Sequence, residues 1–204
     1  MSTTTLPALT DTLEHYMVQI NRFDLLSQEQ EHDLAVRYHR TGDLDAAHRL
    51  TCANLRFVVK VANEYRGYGL RLLDLIQEGN IGLMMAVKKF DPDRGLRLIT
   101  YAVWWIRAYI QNFIIRSWSL VKIGTTQAQK KLFFKLAQTR NALRNLTGKD
   151  QLDEVAEVLD VNQEVVNEMS QRLGSRDMSL DMQLNEGEDY SMLDTLADES
   201  DNQE

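Results

Sequence analysis

Two prolines and ten glycines in 204 residues leave few places to turn a chain. Long helices are therefore expected, and a turn-rich β protein is disfavoured. A single cysteine, Cys52, excludes an internal disulfide and suits a reducing compartment. No apolar run is long enough to span a bilayer, and "MSTTTLPALTDTLEHY" lacks the basic-then-apolar pattern of an export signal. A cytoplasmic protein without membrane contact is the expectation. Glycine-rich phosphate loops and dinucleotide fingerprints are missing. His15, His32, His39 and His48 lie towards the N-terminus, without a cysteine or carboxylate array at metal-ligand spacing. Cys52 reads as a small buried hydrophobe with no histidine-paired nucleophile. Asp91 and Asp93 bracket a proline turn and are explained by turn chemistry. No enzymatic activity, cofactor or metal is expected.

Acidic residues are missing from one stretch altogether. The net charge of -7 conceals 11 basic and no acidic side chains over residues 94–149, against 2 basic and 17 acidic over 150–204. Such segregation points to a polyanion-binding segment in an otherwise acidic chain. The plainer alternative is an acidic tail lying on the basic middle.

The helical signals run in order. Ser27 with Gln30 forms a capping box, and Gly42 closes the helix that it opens. A second helix covers "DLDAAHRLTCANLRFVVKVANEYRGYG", with Leu50, Ala53, Phe57 and Val61 as its apolar stripe and Gly67 and Gly69 at its end. A third spans Leu72–Lys89, and Asp91-Pro92 with Gly95 stops it. The next holds "TYAVWWIRAYIQNFIIRSW", Thr100 to Trp118. Thr126 caps another, which Gly148 breaks. Asp153–Leu173 reads as two short helices turning at Asp160–Asn162. The expected fold is all-α: a helical domain over 1–124, a three-helix domain over 125–174, and an acidic segment over 175–204.

All three tryptophans sit in the Thr100–Trp118 helix. At 100° per residue, Val103, Ile106, Ile110, Phe113 and Ile114 make an aliphatic stripe suited to a core. Tyr101, Trp104, Trp105, Ala108, Gln111, Asn112 and Arg116 fall opposite. That second face either packs on another helix or binds. A basic groove with interleaved aromatics is how proteins hold unpaired nucleic acid, each stacked base gaining roughly 1–3 kcal/mol. Unstacking a base costs a few kcal/mol, so two or three aromatic platforms offset the opening of a short stretch of DNA.

At these residues the sequence resembles a bacterial RNA polymerase sigma factor of the housekeeping-related family. The resemblance covers residues 11–195 and is strongest over "LLDLIQEGNIGLMMAVKKFDPDRGLRLITYAVWWIRAYI" and "ANLRFVVKVANEY". Segments "HRTGDLDAAHRL", "GYGL" and "QAQKKLFFKL" are similar to the heat-shock type. The resemblance implies promoter DNA, core RNA polymerase and chaperones as partners. Asp74, Gln77, Glu78 and Asn80 would dock on a coiled coil of the largest catalytic subunit; on residues alone they read as a solvated helix surface. Tyr101 would stack on the flipped non-template adenine, with Thr100 beside it and Trp104 and Trp105 at the upstream fork. Ala108 and Gln111 would read the upstream base pair. Asn54 and Arg56 would line the pocket for captured single-stranded bases. Arg97, Arg107, Arg116 and Lys122 would meet phosphates, a salt-sensitive term.

The departures are also informative. Leu98 replaces an aromatic residue and Ala108 a glutamine of housekeeping members, which fits an alternative promoter class. Lys135 and Ala137 replace the usual Asn and Arg of the heat-shock-like segment. The family's C-terminal helix-turn-helix domain does not follow within these residues, and "NEGEDYSMLDTLADESD" resembles the linker threaded towards the polymerase cleft. Two other classes compete: a free-standing helix-turn-helix regulator, disfavoured by the carboxylates of Asp153–Leu173, and a decoy that occupies polymerase without initiating.

Overall fold

The computed structural model describes residues 12–124, 126–147, 152–174, 177–183 and 191–196. Gly148 and most of the "NEGEDYSMLDTLADESD" segment lie outside the described residues. The described residues are helical, with one isolated antiparallel bridge between Gln183 and Ser191. The chain divides into two compact units, Met1–Trp118 and Ser119–Glu204.

In the first unit, α1 covers Thr12–Ile20, α2 Gln28–Thr41, α3 Leu44–Asn63, α4 Leu72–Lys89 and α5 Leu98–Ser117. The capping box is present: Gln30 N–H donates to Ser27 Oγ at 3.2 Å, and Ser27 N–H to Gln30 Oε1 at 3.0 Å. Gly42 ends α2 at φ 68°, a left-handed conformation that only glycine takes freely. Asp43 opens α3 by accepting from the Asp45 and Ala46 N–H groups. The α-helix stops at Asn63, earlier than the glycines suggest, and a 3-10 turn over Arg66–Tyr68 carries the chain to Gly69.

Helix α3 packs on α1, α2, α4 and α5, and this position explains its burial. Leu50, Ala53 and Val61 are buried as the periodicity requires, but so are Val58, Val59 and Ala62, while Phe57 is only half-buried. A central helix buries far more than one stripe. Leu75, Ile76, Leu83, Ile106, Ile110 and Ile114 complete the core at 0% exposure, each contributing about 1.5–3 kcal/mol of burial.

Helices α4 and α5 approach closely because of Gly82. A Cβ there would stand 2.8 Å from the Trp105 carbonyl oxygen and 2.9 Å from Ile106 Cα, so only glycine lets the two backbones meet. Helix α5 begins two residues before the quoted aromatic segment. Its buried residues are Leu98, Ala102, Ile106, Ile110, Ile114 and Ile115; Val103 and Phe113 of the expected stripe are half-buried.

In the second unit, α6 covers Gln127–Thr147, α7 Leu152–Leu159 and α8 Gln163–Gly174. Thr126 caps α6 by exchanging hydrogen bonds with Gln129. Leu132, Phe133 and Leu136 of α6 are buried, as are Val155, Ala156 and Leu159 of α7 and Val166 and Met169 of α8. The turn between α7 and α8 stands at Asp160, φ 50°, and Asn162 Oδ1 opens α8 by accepting from Glu164 N–H. Lys131 donates to the Leu159 carbonyl, satisfying the end of α7. Asp177 accepts from Ser119 Oγ and the Leu120 N–H, pinning the start of this unit.

Candidate nucleic-acid interface

The start of α5 is built from a distance. Glu31, 3% exposed on α2, accepts from Arg97 Nε and Nη2 at 3.0 Å each and from the Leu98 N–H at 2.8 Å. One carboxylate thus caps the helix and clamps a guanidinium. It also raises the Arg97 pKa, chiefly through that hydrogen bond. Ahead of it, Asp91 accepts from the Asp93 N–H and Arg94, and Gly95 turns the chain at φ 68°.

Three rings follow one another across this corner. Phe90 and Tyr101 lie 6.1 Å apart between centroids, and Tyr101 and Trp105 6.2 Å apart, edge to face. Tyr101 and Trp105 meet because residues four apart share a helix face. Lys89 places its Nζ 4.6 Å from the Trp105 ring centre, a cation–π contact worth about 0.5–1 kcal/mol at exposed sites. Tyr101 and Trp105 are half-buried, whereas Trp104 is 70% exposed. The indoles are not sealed in the core. They differ because one step along α5 turns a side chain by 100°: Trp105 lies against Tyr101 and Lys89, and Trp104 points to solvent. Beside Phe90, a cleft of about 400 Å³ is lined by Gln28, Glu31, His32 and Leu96.

The remaining sequence-derived candidates are distributed unevenly. Thr100, Ala108, Asn112 and Arg116 are exposed on α5 with Trp104. Gln111 donates to the Tyr65 hydroxyl at 2.9 Å, and burial pushes the Tyr65 pKa up. Arg107 pairs with Glu64 at 3.2 Å. Both members of that pair are about half exposed, so it is weak and exchangeable. On α3, Asn54 donates to the Leu50 carbonyl and Arg56 to the Phe23 carbonyl; these side chains support their own helix and a loop. Lys122 is exposed in the second unit. The acid-free stretch is therefore not uncompensated: Glu31 and Glu64 reach Arg97 and Arg107 from α2 and from the end of α3.

On α4, Asp74 accepts from Arg71, and Asn80 donates to Gln77 at 3.2 Å and to the Tyr16 hydroxyl at 3.0 Å. Glu78 is half-buried, and Ile81 and Met84 add 41% and 51% exposed apolar surface. Sequence reading missed Tyr16, Glu31, Glu64, Tyr65, Lys89 and Phe90. Only Phe90 carried a signal, as an aromatic before a proline turn. Cys52, expected as a small buried hydrophobe, is only half-buried, with its Sγ 3.5 Å from His48 Nε2; burial raises its pKa, away from nucleophilic use. Among the described residues, no helix is long and apolar enough to cross a membrane.

Two family descriptions match the chain: Sigma-70 factor, region 1.2, over residues 11–44, and Sigma-70 region 2 over residues 51–119. The RNA polymerase sigma-C factor of Myxococcus xanthus is 57% identical over 194 residues, 93% of this chain and 65% of that protein. The RNA polymerase sigma-B factor of the same organism is 59% identical over 151 residues, 72% of this chain and 61% of that protein. The RNA polymerase sigma factor RpoH of Rhizobium radiobacter is 44% identical over 212 residues, covering 100% of this chain and 71% of that protein. The chain thus spans between 61% and 71% of the length of these relatives.

Proposed function

We propose a function from one premise: the chain belongs to the sigma-70 family of RNA polymerase sigma factors. It directs core RNA polymerase to promoters of a heat-shock type and has no catalytic activity of its own. It recognises the minus-ten region and starts melting there by capturing flipped non-template bases. Trp104 and the half-buried Tyr101 and Trp105 supply stacking platforms at the fork. Ala108 and Gln111 face the upstream base pair. Arg116 and Lys122 meet phosphates, as do Arg97 and Arg107 when their carboxylate partners share them. Asp74, Gln77, Glu78 and Asn80 bind a helical element of the largest polymerase subunit, with Ile81 and Met84 as apolar anchors.

The observation that carries this reading is the 70% exposure of Trp104 beside the Phe90–Tyr101–Trp105 ring series. A large aromatic held in water on a helix with no acidic side chains offers a ring face on which a base can stack.

The test combines the full chain with core polymerase and a fork-junction DNA whose minus-ten strand is unpaired. A ternary complex that weakens steeply with salt is expected. Trp104→Ala should reduce fork retention about 5- to 150-fold, the equivalent of roughly 1–3 kcal/mol of lost stacking, while polymerase affinity stays unchanged. Retention indifferent to Trp104→Ala, or tight binding to intact duplex without polymerase, refutes the proposal.

A further inference from the structure

The C-terminal end of α3 reaches across to the outer wall of α5. Glu64 takes hold of Arg107 and Tyr65 of Gln111, two α5 residues one helical turn apart that flank the exposed Ala108. Tyr65 is itself fixed: its ring is buried, and the Tyr68 ring lies 6.2 Å away.

What this does to Gln111 follows from counting donors. A glutamine amide has two N–H donors and one carbonyl acceptor. One N–H goes to the Tyr65 hydroxyl. One N–H and the carbonyl remain, the pair that the N7 and N6 edge of adenine takes in the major groove. A glutamine left loose in water samples many rotamers and must be frozen on contact. Held from behind, it meets the base already oriented.

We propose that Tyr65 is a positioning residue for base-pair readout, holding the Gln111 amide so that it selects an adenine-containing pair at the upstream edge of the melted region. This rests on the proposed function, in which the outer face of α5 meets promoter DNA.

The experiment uses the full chain with core polymerase and four fork-junction promoters that differ only in the base pair at the upstream edge of the minus-ten element. Parent, Tyr65→Phe, Gln111→Ala and the double variant are compared. The parent should prefer the adenine-containing pairs. Tyr65→Phe should reduce that discrimination about threefold to tenfold and leave polymerase affinity unchanged. In the Gln111→Ala background it should remove nothing further. A merely structural role would instead weaken binding to all four promoters equally, and that result overturns the proposal, as does a parent-like ranking in Tyr65→Phe. A parental preference for the G·C and C·G promoters overturns the adenine assignment. If Gln111→Ala keeps the parental ranking, base reading by α5 itself fails, and the role of Tyr65 falls with it.

Discussion

Replacing Glu31 with alanine tests how the start of α5 is anchored. The side chain is nearly inaccessible and makes three hydrogen bonds, two to Arg97 and one to the Leu98 N–H. Without it the buried Leu98 N–H is orphaned, at a cost of about 1–3 kcal/mol. Arg97 is 42% exposed at its side chain, so its guanidinium turns to water, and the lost ion pair adds no more than about 1 kcal/mol. The expected destabilisation is therefore about 1–4 kcal/mol. At roughly 2–4 °C per kcal/mol for a chain of this size, the midpoint should fall by about 2–16 °C. Urea unfolding followed by tryptophan emission and a thermal melt read the two quantities. Glu31→Gln is the control: its amide oxygen still accepts from the Leu98 N–H, so it should lose about 1 kcal/mol. A Glu31→Ala variant within about 0.5 kcal/mol of the parent refutes the anchoring role. So does a Glu31→Gln variant as damaging as alanine, which would place the effect in charge alone.

Gly82→Ala should cost about 3 kcal/mol or more in urea unfolding, because its new Cβ meets the Trp105 and Ile106 backbone, whereas Gly79→Ala meets the Val58 and Ile110 side chains and should cost less. Trp104→Ala should leave stability within about 0.5 kcal/mol of the parent; Trp105→Ala should lose about 1–2 kcal/mol with its Tyr101 and Lys89 contacts, as thermal melts will show. The Asp43 pKa is lowered, first by Arg37 and then by the Ala46 and Asp45 N–H groups. A depressed carboxylate contributes stability above its unfolded value and loses it as pH falls through the folded one. The midpoint gap between parent and Asp43→Ala should be widest near pH 7 and close in acid.

Local signals were legible because both partners lie within one turn of chain. The Ser27–Gln30 box, the left-handed Gly42, the span of α4 and the turn at Asp160 all follow from neighbours in sequence. Glu31 shows the limit. It sits among exposed polar residues of α2 and reads as solvated, yet its partners stand 66 and 67 positions away. No periodicity encodes that distance. The face of α5 was half legible for a similar reason. A wheel assigns one buried stripe, but packing on both α3 and α4 widens the arc to include Leu98 and Ala102. Placing both tryptophans on one face concealed their difference, since one of the two partners that shelter Trp105, Lys89, comes from another helix.

The missing side chain at position 82 has a mechanical consequence. With no methyl group to act as a spacer, two rods meet backbone to backbone at this point, one bearing Gln77 and Asn80, the other bearing Tyr101 and Trp104. Under the proposed function, a partner that grasps the first rod would therefore aim the rings of the second, as a hand on a stock aims a barrel.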